Sequence, residues 1–264
     1  MLRRVALAGM VAFLLGGTAC AETPDATQDD RIEALQTRAN AGDVGAQYSL
    51  GVMHQYGPGV PQDAVEAAAW HRKAAEQGYP PAQLNLGAMY RYGEGVPQDA
   101  VEAVAWYRQA AEQGHASAQY YLGVMYATGE GVPQDAVEAA AWTRQAAEQG
   151  HRAAQYSLGV MYQYGRGVPQ DAVEAAAWHR KAAEQGYAPA QLNLGVMYAT
   201  GEGVLQDDVE VYKWLNLATT YAADAEQREE FAEARDLAAE VLTSEQLAEG
   251  QKLSREWFEA HPRR

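Results

Sequence analysis

Cysteine is nearly absent from this chain: Cys20 is the only one among 264 residues. No disulfide can close within one molecule, which excludes the small stapled domains of oxidising compartments. Basic residues are also scarce. Twenty Lys and Arg stand against 35 Asp and Glu, a formal net charge of −15. Charge of that sign repels phosphate backbones and anionic lipid surfaces, so a nucleic-acid partner is not expected. The apolar run from Val5 to Leu15 covers about 11 residues, too short for a permanent helix across a hydrocarbon core of about 30 Å. No later stretch is apolar enough to anchor the chain, so no integral membrane segment is expected in the mature protein.

The setting of that run gives it a meaning. Arg3 and Arg4 precede it, and Gly16, Gly17, Thr18, Ala19, Cys20 and Ala21 follow. A basic start, a short apolar stretch and small residues in an A-x-A arrangement describe a secretory signal peptide, residues 1–21, with cleavage expected after Ala21. Removing Arg3 and Arg4 would leave 18 basic residues against 35 acidic ones, a charge of −17. A second reading makes Cys20 the lipid-bearing first residue of a bacterial lipoprotein, because Gly17-Thr18-Ala19-Cys20 loosely resembles a lipobox. Gly17 stands where that motif usually carries Leu. The expected location is periplasmic or secreted, with a lipid anchor at Cys20 as the alternative.

Catalytic signatures are missing as well. The chain has no nucleophile elbow, Walker loop, S-x-x-K, H-E-x-x-H or EF-hand spacing. Gly-x-Gly-Val-Pro recurs, but it lacks the Gly-Lys of a phosphate loop, and helix termination accounts for its residues. An enzyme is therefore not expected, nor any cofactor or metal.

What is present is a period. Trp70, Trp106, Trp142, Trp178 and Trp214 recur at intervals of 36 residues. The same step links Asp63, Asp99, Asp135, Asp171 and Asp207, and also Leu50, Leu86, Leu122, Leu158 and Leu194. Repetition at such a length is the mark of a solenoid or array. Each unit reads as two helices. In helix A of the first unit, Ala46, Leu50, Met53 and His54 share one face. Gly51 costs that helix about 1 kcal/mol relative to Ala, and the same cost at Gly87, Gly123, Gly159 and Gly195 suggests close approach to a neighbouring helix. Gly57 and Pro61 end the helix. Asp63 caps helix B, with Glu66 expected to complete a capping box. Val65, Ala69, Trp70 and Ala74 are expected to form its inward stripe. One hairpin cannot bury its apolar side alone, so neighbours must stack.

The pattern is clearest at Ala82, Leu86, Gly87, Met89, Tyr90, Gly93, Gly95, Val96, Asp99, Ala103, Trp106, Ala110, Ala111, Glu112, Gln113 and Gly114. It resembles the Sel-one-like repeat, a relative of the tetratricopeptide repeat. It covers five units: 46–81, 82–117, 118–153, 154–189 and 190 to about 222. The resemblance implies an all-α fold, a right-handed α/α superhelical solenoid of helix-turn-helix repeats. His54 and the run Leu205-Gln206-Asp207-Asp208 are small departures that leave the fold intact. Residues 31–45, chiefly Ile32 to Val44, look like a half repeat, an unpaired helix B. Residues 22–30 read as a flexible acidic lead-in. After the repeats, 223–264 read as a C-terminal cap with helices over Ala223–Val241 and Thr243–Trp257, the second opened by Thr243 with Gln246.

Several side chains invite a chemical reading. Asp63 with Glu66 could suggest acid–base work, but the pair recurs at every helix start, as capping residues do. His71 and His179 are three repeats apart, too distant to share a metal. His115 and His151 lie on adjacent turns, about 10 Å apart if stacked helices keep their usual spacing, too far for zinc ligands at about 2.1 Å each. They read as solvated turn residues. The tryptophan ladder reads as core packing rather than a sugar-stacking surface.

In solenoids of this kind the resemblance implies that the A helices line the concave side. Positions off the core stripe vary between units, and Val52 and Leu84 are among them. The expected partner-binding residues are Tyr48, Gln55, Asn85, Arg91, Tyr120, Tyr121, Tyr156, Gln163 and Asn193. Tyr, Asn and Gln with a lone Arg suit an extended peptide. The expected function is a periplasmic adaptor or scaffold for a protein or peptide partner. Cysteine-rich relatives, linked to β-lactam or cell-wall-fragment binding and hydrolysis, imply one alternative; a passive structural spacer is another.

Overall fold

The computed structural model describes residues 27–261, which form thirteen α-helices joined by turns. The signal segment, the cleavage after Ala21 and Cys20 lie outside the described residues. The helices are α1 (Gln28–Asn40), α2 (Val44–Tyr56), α3 (Ala64–Glu76), α4 (Pro80–Tyr92), α5 (Ala100–Glu112), α6 (Ala116–Thr128) and α7 (Ala136–Glu148). They continue with α8 (Arg152–Tyr164), α9 (Ala172–Glu184), α10 (Ala188–Thr200), α11 (Asp208–Tyr221), α12 (Ala225–Val241) and α13 (Ser244–Ala260). From α2 to α11 the even-numbered helices are the A helices and the odd-numbered ones the B helices. Contacts divide the chain into two compact units at Gln113 and Gly114. In each unit an A helix packs on its own B helix, and that B helix packs on the next A helix. Each unit is thus a stretch of all-α solenoid.

The turns follow from local chemistry. Gly57 ends α2 at φ 77°, a left-handed conformation that a side chain would strain, and its N–H reaches Met53 O at 2.7 Å. Asp63 Oδ1 accepts from the N–H groups of Val65 and Glu66, at 2.9 and 3.1 Å. The expected capping box does not form there. The Asp63 N–H that Glu66 would have to bind already donates to His54 O at 2.8 Å, so Asp63 caps α3 by itself. Full capping boxes do form at Thr27 with Asp30 and at Thr243 with Gln246. The first of these starts α1 at Gln28, so residues 28–30 are helical rather than part of a flexible lead-in.

The inward side of helix B also differs from expectation. Val65 is 66% exposed and Ala69 is exposed, while Ala67, Ala68, Trp70, His71, Ala74 and Ala75 are buried. A B helix lies between two A helices and must bury two adjoining stripes. Alanine lets both neighbours come close. Gly51 makes one close approach: a Cβ placed there would lie 2.6 Å from His71 Nδ1. Gly95 makes another, because a Cβ there would collide with the Ala64 carbonyl of the preceding repeat.

Trp70, Trp178 and Trp214 are buried, but Trp106 and Trp142 are only half-buried. The difference lies three residues further along the helix. Lys73 sits 3.6 Å above the Trp70 ring and Lys181 3.7 Å above that of Trp178. Gln109 and Gln145 occupy those places beside Trp106 and Trp142, and they turn to accept hydrogen bonds from Gln83 and Gln119 instead. Trp214 is covered by the terminal cap, where Trp257 joins Leu194, Leu215 and Leu217. Phe231 of α12 packs on Ala188 and Ala218.

A glutamine ladder joins the repeats within each unit. Buried Gln47 donates to Ala39 O of the preceding helix at 3.1 Å and accepts from Gln77 at 2.7 Å. Gln83 repeats this with Ala75 O and Gln113, and Gln155 with Ala147 O and Gln185. Each bond adds a side-chain donor to a helix C-terminal carbonyl that also accepts from the N–H of the following glycine, Gly42, Gly78 or Gly150, and so satisfies the buried amide, which would be costly to leave unpaired. A second tie runs from Arg72 to the Tyr90 hydroxyl at 2.6 Å, and likewise from Arg144 to Tyr162 and Arg180 to Tyr198.

Candidate functional site

In the first unit, α2, α3 and α4 bring a polar cluster together around His71. The imidazole is fully buried against Gly51, with its Nε2 3.4 Å from Gln55 Oε1 and 3.5 Å from Asn85 Nδ2. Its Nδ1 has no hydrogen-bond partner. An orphaned N–H costs more than an orphaned lone pair, which favours the tautomer with the proton on Nε2, donating to Gln55. Burial holds the ring neutral by pushing its pKa down to about 4. Tyr48 lies 5.6 Å from the imidazole and meets Tyr79 nearly edge-on, at 5.3 Å and 67°. The Tyr48 phenol is held protonated, its pKa raised chiefly by burial, and it shares a side-chain hydrogen bond with Asn85. Three of the expected residues, Tyr48, Gln55 and Asn85, therefore meet. Arg91 sets its guanidinium 5.5 Å from the Tyr92 ring.

The second unit contains the same arrangement on α8, α9 and α10. Tyr156 lies 5.4 Å from His179 and 5.4 Å from Tyr187, and it hydrogen-bonds Asn193. His179 is fully buried, and burial lowers its pKa to about 4. Gln163 is half-buried on the same helix, but neither nitrogen of His179 has a hydrogen-bond partner. Tyr120 and Tyr121 form a separate aromatic pair at 5.5 Å, and Tyr120 stacks on His151 at 4.9 Å. Val52, expected on the open surface, is buried at 8% exposure.

Sequence reasoning missed His71, Tyr79, His179 and Tyr187. Each sits on a B helix or its following turn, outside the A-helix positions from which a groove was read. The signal was available in the spacing, since His71 and Tyr79 recur as His179 and Tyr187, together with Tyr48 and Asn85, three periods later. His115 and His151 are a correction of another kind. They are half-buried helix caps rather than solvated turn residues, with Nδ1 accepting from Ala118 N–H at 3.4 Å and Ala154 N–H at 3.2 Å.

A different concavity of about 350 Å³ opens where α12 meets α10 and α11. Val196, Val211, Leu215, Leu237 and Val241 line it, with Asp208 the single charged residue among its lining. No converging polar set gives it a chemistry. Among the described residues no group of three or more His, Cys, Asp or Glu could hold a metal ion, and no helix is long and apolar enough to cross a membrane.

Helix pairs stacked at a fixed period, with an adaptable surface on one helix of each pair, define a helical-repeat scaffold. The Sel1 repeat model matches residues 44–79, 80–115, 116–151, 152–187 and 188–220. The chain belongs to the Sel1 repeat family. Each matched repeat begins two residues before the boundary read from the sequence, at the first residue of its A helix. A crystal structure of a Sel1 repeat protein from Oxalobacter formigenes is 37% identical, with a TM-score of 0.70 over 78% of this chain and 60% of that one. A protective antigen of uropathogenic Escherichia coli with an SLR fold is 32% identical, with a TM-score of 0.56 over 86% of this chain and 56% of that one. The chain thus spans less than two thirds of the length of either structure. A search of curated proteins found no match.

Proposed function

We propose that this chain is an adaptor acting outside the cytoplasm, which holds a protein or peptide partner against the face of its A helices. Sel1 repeats commonly serve protein interaction and are typically non-catalytic scaffolds, and the residues here refine that general role. The observation that carries the reading is the cluster of Tyr48, Gln55, His71, Tyr79 and Asn85. It is half-open, free of ionised groups at neutral pH, and built on a rigid stack rather than on loops. Uncharged amides and tyrosines grip an extended chain through hydrogen bonds and aromatic area at low entropic cost. The basic and apolar start of the sequence and its small-residue cleavage pattern support the proposed location.

The test is affinity capture from periplasmic extract with the purified mature chain. It is repeated after Asn85 and Asn193 are both changed to Ala, with Glu66→Ala as a surface control. A partner held by the parent and the control but lost by the double variant supports the A-helix face. Equal recovery by all three rejects it. Export is tested separately, by following the size and compartment of the chain with Ala19 and Ala21 changed to bulky residues.

A further inference from the structure

Residues 46–85 and 154–193 differ only at His54/Tyr162, Pro58/Arg166 and Pro80/Ala188. The cluster of the first unit is therefore present twice: Tyr48, Gln55, His71, Tyr79 and Asn85 correspond to Tyr156, Gln163, His179, Tyr187 and Asn193. No other repeat carries this set. At the second repeat the matching places hold Leu84, Arg91, Tyr107, His115 and Tyr121; at the third they hold Tyr120, Ala127, Thr143, His151 and Ser157. The ring geometry also repeats, although His179 makes no counterpart of the His71 contact with glutamine. The Tyr–His centroid distances are 5.6 and 5.4 Å, the Tyr–Tyr distances 5.3 and 5.4 Å, and the tyrosine hydrogen-bonds the asparagine in both.

We infer that the chain carries two equivalent binding sites, one in each unit, and that each takes a short, uncharged, extended peptide segment. The inference rests on the adaptor reading above and adds its stoichiometry and ligand chemistry. In the first site Gln55 Oε1 accepts from the His71 Nε2–H, and Asn85 Nδ2 donates to the Tyr48 hydroxyl, the sense of hydrogen bond that lowers a phenol's pKa. That leaves Gln55 Nε2 to donate to a ligand carbonyl and Asn85 Oδ1 to accept from a ligand N–H, the pair of groups a peptide backbone presents. Within the five-residue set the amides carry no charge, burial keeps the imidazole neutral, and burial raises the Tyr48 phenol further above its ordinary value. A charged ligand side chain would find no counter-ion there and would lose hydration. The two tyrosine rings meet at 67° in one site and 55° in the other. They form a notch for a small apolar side chain rather than a flat platform on which a sugar ring could stack. Two such sites on one chain suit a partner with two copies of the same segment, which binds the second at a high effective concentration.

The experiment uses the full chain and a synthetic peptide chosen from a twelve-residue display library selected on it. Calorimetry is expected to give two peptides per chain with closely similar affinities. Asn85→Leu and Asn193→Leu should each reduce the count to one, and the double variant should bind none, with unchanged helical circular dichroism. One peptide per chain, or two per chain in both single variants, overturns the twin-site assignment while leaving peptide binding intact. If no peptide is enriched, the adaptor reading fails with it. Two-site binding of chitotetraose in place of any peptide would overturn the ligand class and assign the sites to glycan.

Discussion

His71 occupies the space that Gly51 leaves open: the imidazole of one helix lies so close to the backbone of the other that a Cβ on Gly51 would meet its Nδ1 at 2.6 Å. The equivalent contact in the fifth repeat is looser, with Leu215 3.3 Å from a Cβ on Gly195.

Gly51→Ala and Gly195→Ala should therefore behave differently, although both relieve the same helix-propensity cost of about 1 kcal/mol. The His71 ring is fully buried and cannot swing away, so Gly51→Ala is expected to lose about 1–3 kcal/mol through overpacking. Leu215 need give way by only a few tenths of an ångström, so Gly195→Ala should fall within about 1 kcal/mol of the parent. Urea titration of both variants measures the contrast, and equal losses would contradict the assigned contacts.

Gly95 and Gly78 make a second pair. Both have positive φ, at 71° and 83°, but a Cβ on Gly78 meets nothing within 4 Å, whereas one on Gly95 collides with the Ala64 carbonyl. Gly78→Ala should cost only backbone strain, about 1 kcal/mol. Gly95→Ala must also push two repeats apart, and should lower the melting temperature further and speed amide exchange in α3 and α4.

Trp178 is 7% exposed beneath Lys181, while Trp142 is half-buried beside Gln145. Trp178→Ala is expected to cost about 3–5 kcal/mol, and Trp142→Ala clearly less. Gln145→Lys should cover the Trp142 ring and blue-shift its emission.

Acid should weaken the fold in a defined window. His71 and His179 titrate near 4 in the folded chain and near 6.5 when unfolded, because burial disfavours the imidazolium. A group with a lowered folded pKa contributes fully to stability above its unfolded value. That contribution fades as pH falls from about 6.5 to about 4, at an order of 3 kcal/mol for each ring. His115 and His151 shift in the same direction, chiefly through burial, and they also lose their cap acceptor on protonation. Chemical denaturation at pH 7.5 and pH 5 should show the loss. The variant with His71 and His179 both changed to Leu, the residue found at 215, should flatten it; an unchanged slope would place those rings in water.

The period was legible because stacking demands the same contacts at equal intervals, and Trp70, Leu50 and Asp63 are unambiguous about their roles. The orientation of helix B was not. Ala64, Ala67, Ala68, Ala69, Ala74 and Ala75 surround that helix, and a pattern apolar on every side does not say which stripe turns inward. The five tryptophans looked equivalent, because the lysine or glutamine that sets their burial lies on a neighbouring turn and reads as surface. Gln47 and its counterparts read as surface for the same reason, since a glutamine declares itself buried only when a helix end supplies its partner. Tyr48, Gln55 and Asn85 were found through their variation between repeats. His71 was passed over because its buried place between two helices is a tertiary fact.

The glutamine ladder sets a rule for changes in length. Wherever it is made within a unit, the joint consists of one amide reaching one terminal carbonyl 8 residues back and accepting from another glutamine 30 residues ahead. Losing or gaining a whole 36-residue block recreates an identical seam, whereas slipping by a single residue points the amide at nothing. Such an array can grow or shrink only in whole courses, like masonry, and the near-verbatim return of residues 46–85 at 154–193 is the kind of text that such growth leaves behind.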